Sequence, residues 1–495
     1  MKDVVDLIFE QAMLQPDHPA IADGEIKITY GELRDRACRL AAGLAQYGNH
    51  PKVLILLDQG ADAYVAMVAT AIAGGYYAPT NGQSPIGKLQ SIARQFAPDV
   101  VVSHAERYAT VLGDQDGAAP LLDAIGQFPV GLESRRRSHR LIYVMFTSGS
   151  TGAPKGVRVL RSALNHYTDW SLATIAPTPD DRWSQHPNIA FDMSHFDIYG
   201  ALCSGGTLCA FGSAMDRMMP ALGIRRYGIT IWNSVPSVVS QMAQAKQVTA
   251  ANLASLRLMN FCGEALLPEH LDAVFAARPD LRVHNTYGPT EATISCTLLR
   301  LDAGNYSRSC RANVAIGDAI PNMEIHLVGG PNDDEGEIVI TGPQLADGYW
   351  NDPEATRKAF HKAQVGNETF DGYYTGDWAR RVDGQVYFST RIDFQVKIRG
   401  IRLELEEIDA ALRKCGFMNA ATALIDDELH AFLETSQATL DDAALRRNLA
   451  ELVEPHAIPA HFHPIPQMPR NANDKIDVKS LTQTFRTSLS SGGVA

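Results

Sequence analysis

The stretch from Met145 to Gly156, Met-Phe-Thr-Ser-Gly-Ser-Thr-Gly-Ala-Pro-Lys-Gly, constrains this chain more than any other. The apolar run Leu141 to Phe146 ahead of it reads as a strand, so the glycines and small hydroxyl residues form the loop into which that strand runs. A loop with so little side-chain bulk lets backbone N–H groups and the hydroxyls of Thr147, Ser148, Ser150 and Thr151 close around an anion, and Lys155 adds a point charge. Such a loop suits a polyphosphate. A flexible Gly/Ser turn is the plain alternative, and the spacing of a Walker A loop is absent.

At 495 residues the chain exceeds what one hydrophobic core organises, so two or more folded units are expected. Its formal charge of −12 argues against a nucleic-acid partner, whose footprint would be basic. The one dense basic cluster, Arg135 to Arg140, is either a solvated loop face or a docking contact for something acidic. The seven cysteines are scattered without Cys-x-x-Cys spacing, so neither a disulfide framework nor a zinc site is expected, and a reducing cytoplasm fits. The N-terminus carries acids where a signal peptide would be basic and then apolar, and no apolar run approaches a membrane span, so no membrane insertion is expected.

Residues 4 to 14 have helical apolar spacing, and Thr29 with Glu32 forms a capping box opening a helix through about Tyr47. A strand at Val53 to Leu57, a helix at Ala61 to Ala73 and a strand at Val100 to Ser103 continue an alternation that predicts layered α/β architecture with parallel sheets. Ligands collect at the carboxyl ends of such strands, where the Gly/Ser/Thr loop also lies. The segment Ile189 to Tyr199 reads as an apolar helix start with embedded aspartates. Asp192 is either an N-cap or a carboxylate that meets a cation, because burying it unpaired costs several kcal/mol.

Downstream, a strand at Leu256 to Phe261 ends at Cys262-Gly263-Glu264, where Cys262 reads as a small core residue. In the segment Val283 to Ile294, Tyr287 offers a flat face for adenine and Glu291 a hard oxygen for Mg²⁺. From about Val314 to Val386 the pattern turns to short alternating runs, which predicts a small β-barrel. The last hundred or so residues predict a small unit with a helix at Glu404 to Lys414, strands at Ala420 to Ile425 and Glu428 to Leu433, and a helix at Asp441 to Val453.

Taken in order, these motifs resemble the adenylate-forming (ANL) enzymes, which include acyl-CoA synthetases, luciferases and the adenylation domains of peptide synthetases. The strings Asn-Phe-Cys-Gly-Glu and Asn-Thr-Tyr-Gly-Pro-Thr-Glu-Ala-Thr look most like D-alanine–carrier protein ligases and stand-alone adenylation domains. The resemblance implies an α/β fold with a large N-terminal domain over 1–390, built of two layered subdomains plus a small β-barrel at about 312–390. A hinge at 391–394, a mobile α+β lid at 395–485 and a tail at 486–495 follow.

The resemblance also implies an ATP site of Thr147, Ser148, Gly149, Ser150, Thr151, Lys155, Asn285, Thr286, Tyr287, Thr290, Asp377, Arg391 and Lys475. Glu291 would hold Mg²⁺, Asp393 would be the hinge residue, and Lys475, Thr147 and Glu291 would serve catalysis. Asp192, Met193, Phe196, Asn260, Cys262, Gly263, Thr286 and Ile294 would bind the substrate, with Asp192 on its ammonium group.

The activity so implied is ATP-dependent activation of a small amino acid, with alanine, glycine or serine favoured. The acyl group then passes to the phosphopantetheine thiol of a separate carrier protein. A small-carboxylate CoA ligase, a silent nucleotide or aminoacyl binder, and a phosphotransferase releasing ADP are the alternatives. His195, Phe196, Asn260 and Trp378 depart from the resembled pattern, and Asn260 is in a position to hydrogen-bond a polar side chain.

Overall fold

The computed structural model describes residues 2–113, 138–147, 154–365, 368–391, 395–398, 401–417, 419–426, 428–437, 439–470 and 476–491. They divide into two compact units, the first made of 1–83, 93–146 and 156–392 and the second of 84–92, 147–155 and 393–495.

In the first unit, the expected amphipathic opening is a helix over Val4–Leu14, and Thr29 caps the helix Tyr30–Leu44 with the full reciprocal box. Strands Val100–Val102, Lys52–Ile55, Tyr76–Pro79 and Leu141–Thr147 lie side by side in a five-stranded sheet completed by Lys155–Leu160. The first four are parallel. Leu141 to Phe146 is buried throughout, as a strand covered on both faces must be.

A second sheet has nine strands, and its centre runs Arg282–Asn285, Leu258–Phe261, Ile231–Ser234, Arg182–Gln185 and Thr207–Ala210, all parallel. Their carboxyl ends deliver Thr286, Cys262 and Ser234 to one edge of the sheet. The segment expected as a small barrel is a five-stranded antiparallel sheet over Glu324–Asn332, Glu335–Thr341, Phe360–Val365, Glu368–Val382 and Gln385–Arg391. The long strand Glu368–Val382 pairs with three of the others, and no pairing closes the sheet into a ring among the described residues.

The second unit holds the hairpin Gln395–Ile398 and Ile401–Glu404, the helix Leu405–Lys414 and a three-stranded sheet of Ala420–Ile425, Glu428–Glu434 and His461–Ile465. Leu429, Ala431, Leu433 and Phe462 face a core shared with Ile408, Leu412 and Leu449. Phe432, on the opposite sheet face, packs with Met468, Leu481 and Phe485, the last two on the helix Val478–Ser491.

Candidate active site

Asp192 is where the sequence left two readings open, and the backbone decides between them. The helix that follows runs Ser194–Ser204 with Met193 as N-cap, and no side chain caps it. Asp192 is therefore not a cap. Its carboxylate is buried and accepts the N–H of Ile294 at 3.0 Å, a bond made across 102 positions of sequence. That N–H is aimed by a strained turn in which the consecutive β-branched residues Thr293 and Ile294 both have left-handed backbone, at φ of 56° and 70°. Burial pushes Asp192 up to about 6, the Ile294 N–H and the Thr290 hydroxyl oppose that rise, and the charge of Glu291 adds to it. With the Met193 N–H these donors still do not offset its desolvation, and a buried carboxylate in that position is suited to a cation.

Beyond this turn, Cys296 and Thr297 donate their N–H groups to the carbonyl of Tyr287 at 2.8 and 3.1 Å. The chains pass so close that a Cβ on Gly288 would lie 2.4 Å from the Cα of Ser295, which explains the glycine of the Tyr-Gly-Pro motif. The Tyr287 hydroxyl donates to Oδ2 of Asp377 at 2.6 Å, while Arg391 reaches Oδ1 at 2.5 Å and the Thr375 carbonyl at 3.0 Å. Burial, then the nearby Asp377 charge, keeps the Tyr287 phenol well above its ordinary pKa, so it stays a donor. Each oxygen of Asp377 retains a lone pair, which is what a vicinal diol requires.

Glu291 is fully buried, and its Oε1 accepts the Tyr349 hydroxyl at 2.9 Å. Tyr349 also bridges Val157, and Trp350 donates its N–H to the Gly156 carbonyl at 2.7 Å. The strand leaving the Gly/Ser/Thr loop is thereby strapped to the residue that holds Glu291. A desolvated carboxylate of this kind fits a hard cation, which takes one or two protein carboxylates and fills its octahedron with phosphate oxygens and water. The donor set present therefore fits Mg²⁺.

The model of the family described as AMP-binding enzyme matches residues 8–350. The chain belongs to this family. Over 500 residues this AMP-binding enzyme is 28% identical to the D-alanine–D-alanyl carrier protein ligase of Staphylococcus aureus (strain bovine RF122 / ET3-1), covering 98% of this chain and 100% of that one. The crystal structure of the Vibrio cholerae adenylation domain AlmE, in complex with glycyl-adenosine-5'-phosphate, matches with a TM-score of 0.84 at 28% identity over 98% of both chains. Holo-PA1221, a protein containing adenylation and PCP domains, shares the fold at 22% identity with a TM-score of 0.80 over 97% of this chain and 84% of that one.

Two groups that sequence reasoning missed, Asn233 and Tyr167, stand among the expected pocket residues of this AMP-binding enzyme. Asn260 donates its amide to Asn233 Oδ1 at 3.0 Å, and Asn233 donates in turn to Asp197 Oδ2 at 2.8 Å and to the Met193 carbonyl at 3.2 Å. Asn233 is thus the link between Asn260 and the start of the Asp192 helix. Burial holds Asp197 well above the usual carboxylate range, with the Asn233 bond opposing, and its Oδ1 has no partner among the described residues. Tyr167, fully enclosed, shares its surroundings with Asp192, Asp197 and Cys262 and accepts a 3.4 Å bond from Ser295. Asn233 had a sequence signal, since it lies in an apolar run just ahead of a proline, near the carboxyl end of the strand Ile231–Ser234, whereas Tyr349 and Tyr167 had none.

Of the remaining expected positions, the Cys262 thiol points to the Ile294 carbonyl at 3.9 Å, Gly263 takes the left-handed φ of 92°, and Phe196 packs edge-on to Trp183. Thr286 gives both its N–H and its hydroxyl to the Phe261 carbonyl, and Asn285 holds the Ala315 carbonyl at 2.8 Å. His195 turns into the core, bonded to Tyr77 at 2.8 Å and kept neutral by burial, which lowers it to about 3. Asn260 gives one of its amide N–H bonds to Asn233 Oδ1, which leaves its second N–H and its carbonyl oxygen for other partners. Trp378 donates to Glu335 at 3.1 Å from the strand face opposite Asp377.

Thr147 donates its hydroxyl to the Lys155 carbonyl at 3.3 Å. Ser148, Gly149, Ser150, Thr151, Asp393 and Lys475 lie outside the described residues, as do Arg135 to Arg137 of the basic cluster.

Removing the Tyr349 hydroxyl takes a donor from Glu291. Tyr349→Phe is expected to weaken apparent Mg²⁺ affinity by roughly 10-fold or more, since a hydrogen bond to a charged group is worth about 1.5–3 kcal/mol. A Mg²⁺ titration of nucleotide turnover that overlays the wild-type curve would contradict this.

Proposed function

We propose that this enzyme activates a small amino acid as its aminoacyl-AMP and transfers it to the phosphopantetheine thiol of a carrier protein. Asp192 carries the amino-acid part of the reading. It is a buried carboxylate, free of any capping duty, among the residues expected to line the pocket, and an α-ammonium is the cation that would offset its burial. The relatives' ligands are small: AlmE holds a glycyl adenylate, and the Staphylococcus aureus protein is named for D-alanine. Met193 and Phe196 are expected to leave little volume, and the bond from Asn260 to Asn233 lowers the unpaired-amide cost that glycine or alanine would meet there. Serine completes the favoured set.

In the first half-reaction a substrate carboxylate oxygen forms a bond to the α-phosphorus of ATP while the bond to the bridging oxygen breaks and pyrophosphate leaves. Asp377, Tyr287 and Arg391 hold the nucleoside, with the Asp377 carboxylate on the ribose hydroxyls. Glu291 would hold Mg²⁺, which would supply charge neutralisation for the phosphates. The Thr147 to Lys155 loop takes the outer phosphates, and Lys475 meets the reacting oxygens, so positioning and fixed positive charge lower the barrier. In the second half-reaction a thiolate attacks the acyl carbon and AMP leaves, after the small domain has turned about Asp393.

The test is the nucleotide product and ATP–pyrophosphate exchange across the twenty L-amino acids, several D-amino acids, acetate and propionate. AMP and pyrophosphate formed with one or a few small amino acids are expected. Exchange with acetate or propionate but no amino acid would replace this reading by a carboxylate CoA ligase, and release of ADP would replace it by a phosphotransferase.

A further inference from the structure

The sheet of the second unit carries an array of histidines that the reaction does not use. The strand Glu428–Glu434 opens Glu-Leu-His, and the strand His461–Ile465 opens His-Phe-His. Strand alternation sends Leu429 and Phe462 into the core and puts Glu428, His430, His461 and His463 on the opposite face. The two strands are parallel with His430 beside His461, so four potential ligands share one patch.

The spacing within the patch is that of a coordination site. One ligand atom each of Glu428, His430 and His461 lies within 4.8 Å of the others. Glu428 Oε2 and His461 Nε2 are 2.8 Å apart, and His430 Nδ1 meets His463 Nε2 at 2.9 Å. Four bonds of about 2.0–2.2 Å in a tetrahedron hold ligand atoms roughly 3.3–3.6 Å apart, between the 2.8 Å and 4.8 Å found here, so coordination needs only side-chain adjustment. His430, buried under Phe485, is the fixed member, while His461 and Glu428 are about half exposed and free to adjust. His463 orients the His430 ring through their shared hydrogen bond, the usual task of an outer partner.

We propose that Glu428, His430 and His461 form a binding site for a divalent transition-metal ion of the zinc class. The donors decide the class: imidazole with one carboxylate suits Zn²⁺, Ni²⁺ or Cu²⁺, whereas Mg²⁺ and Ca²⁺ take all-oxygen sets such as that around Glu291. A bound ion would clasp the two strands beneath the helix Val478–Ser491. The absence of Cys-x-x-Cys spacing does not bear on this site, which uses no thiol.

The experiment titrates the chelator-stripped full-length chain with Zn²⁺ alone against a competing colorimetric chelator, with thermal melting in parallel and Co²⁺ as the spectroscopic probe. Wild type is expected to bind one equivalent, to melt at higher temperature with Zn²⁺, and to give a visible Co²⁺ band. His461→Ala and Glu428→Gln, both at exposed positions where folding should survive, are expected to lose that equivalent and the melting shift. His463→Ala should weaken affinity by about 10–100-fold, the range for losing an outer partner. No bound equivalent in wild type, or unchanged stoichiometry and affinity in both His461→Ala and Glu428→Gln, overturns the site.

Discussion

Lys475→Ala is expected to slow aminoacyl-adenylate formation by roughly 10²–10³-fold, the loss typical when one donor aimed at developing negative charge is removed. As pyrophosphate leaves, charge accumulates on the bridging oxygen, and a lysine ammonium has no substitute in a methyl group. Thiol capture of an aminoacyl-AMP supplied ready-made should change little, because the proposed cycle withdraws this lysine before that step. The two readouts, single-turnover AMP formation and transfer from synthetic adenylate, therefore separate a catalytic role from a general loss of fold. A nucleotide-sensing protein without catalysis would be indifferent to the substitution, so adenylation within a few-fold of wild type would remove Lys475 from the mechanism. The assignment rests on Pro469-Arg-Asn-Ala-Asn-Asp-Lys475, where the sequence motif alone distinguishes this lysine from a solvated one.

Local pattern made much of the fold legible. The helix Val4–Leu14, the Thr29–Glu32 capping box and the strand Ala420–Ile425 fall where periodicity and capping chemistry put them, because each is determined within its own few residues. The site was legible only where a motif is contiguous, as at Tyr287 to Glu291. Partners across the chain were not: Tyr349 meets Glu291 over 58 positions, and Asn233 meets Asp197 over 36. Periodicity carries no record of such pairs. Asp192 is the sharpest case, since the same Phe-Asp-x-Ser string serves equally well as an N-cap, and only the start of the helix at Ser194, with the Ile294 N–H arriving from a distant strained turn, tells the two apart. The histidine array was visible as Glu-x-His and His-x-His on adjacent strands, yet a metal search built on cysteine spacing passes over it.

Asp192→Asn should separate activity from stability in opposite directions. Truncating one partner of a buried charge pair costs about 2–5 kcal/mol, so kcat/KM for the amino acid is expected to fall by roughly 30-fold or more while ATP binding is kept. In wild type, burial raises Asp192 to about 6, and the free enzyme must lose that proton before it can receive an ammonium. The kcat/KM profile for the amino acid at saturating MgATP should thus decline with unit slope below about pH 6, and Asp192→Asn should lack that inflection.

Stability runs the other way. With a folded pKa of about 6 against an ordinary 3.8, the folded chain holds the extra proton between those values, so stability falls as pH rises through that window and the penalty is complete above it. That shift is worth about 3 kcal/mol. An asparagine keeps an acceptor for the Ile294 N–H without the charge. Melting of the ligand-free chain in EDTA at pH 8 should therefore occur at higher temperature for Asp192→Asn than for wild type, with the difference vanishing near pH 4. A variant that melts lower than wild type at pH 8, or a wild-type profile flat through pH 6, would mean that this carboxylate is already compensated inside the protein and is not waiting for a substrate cation.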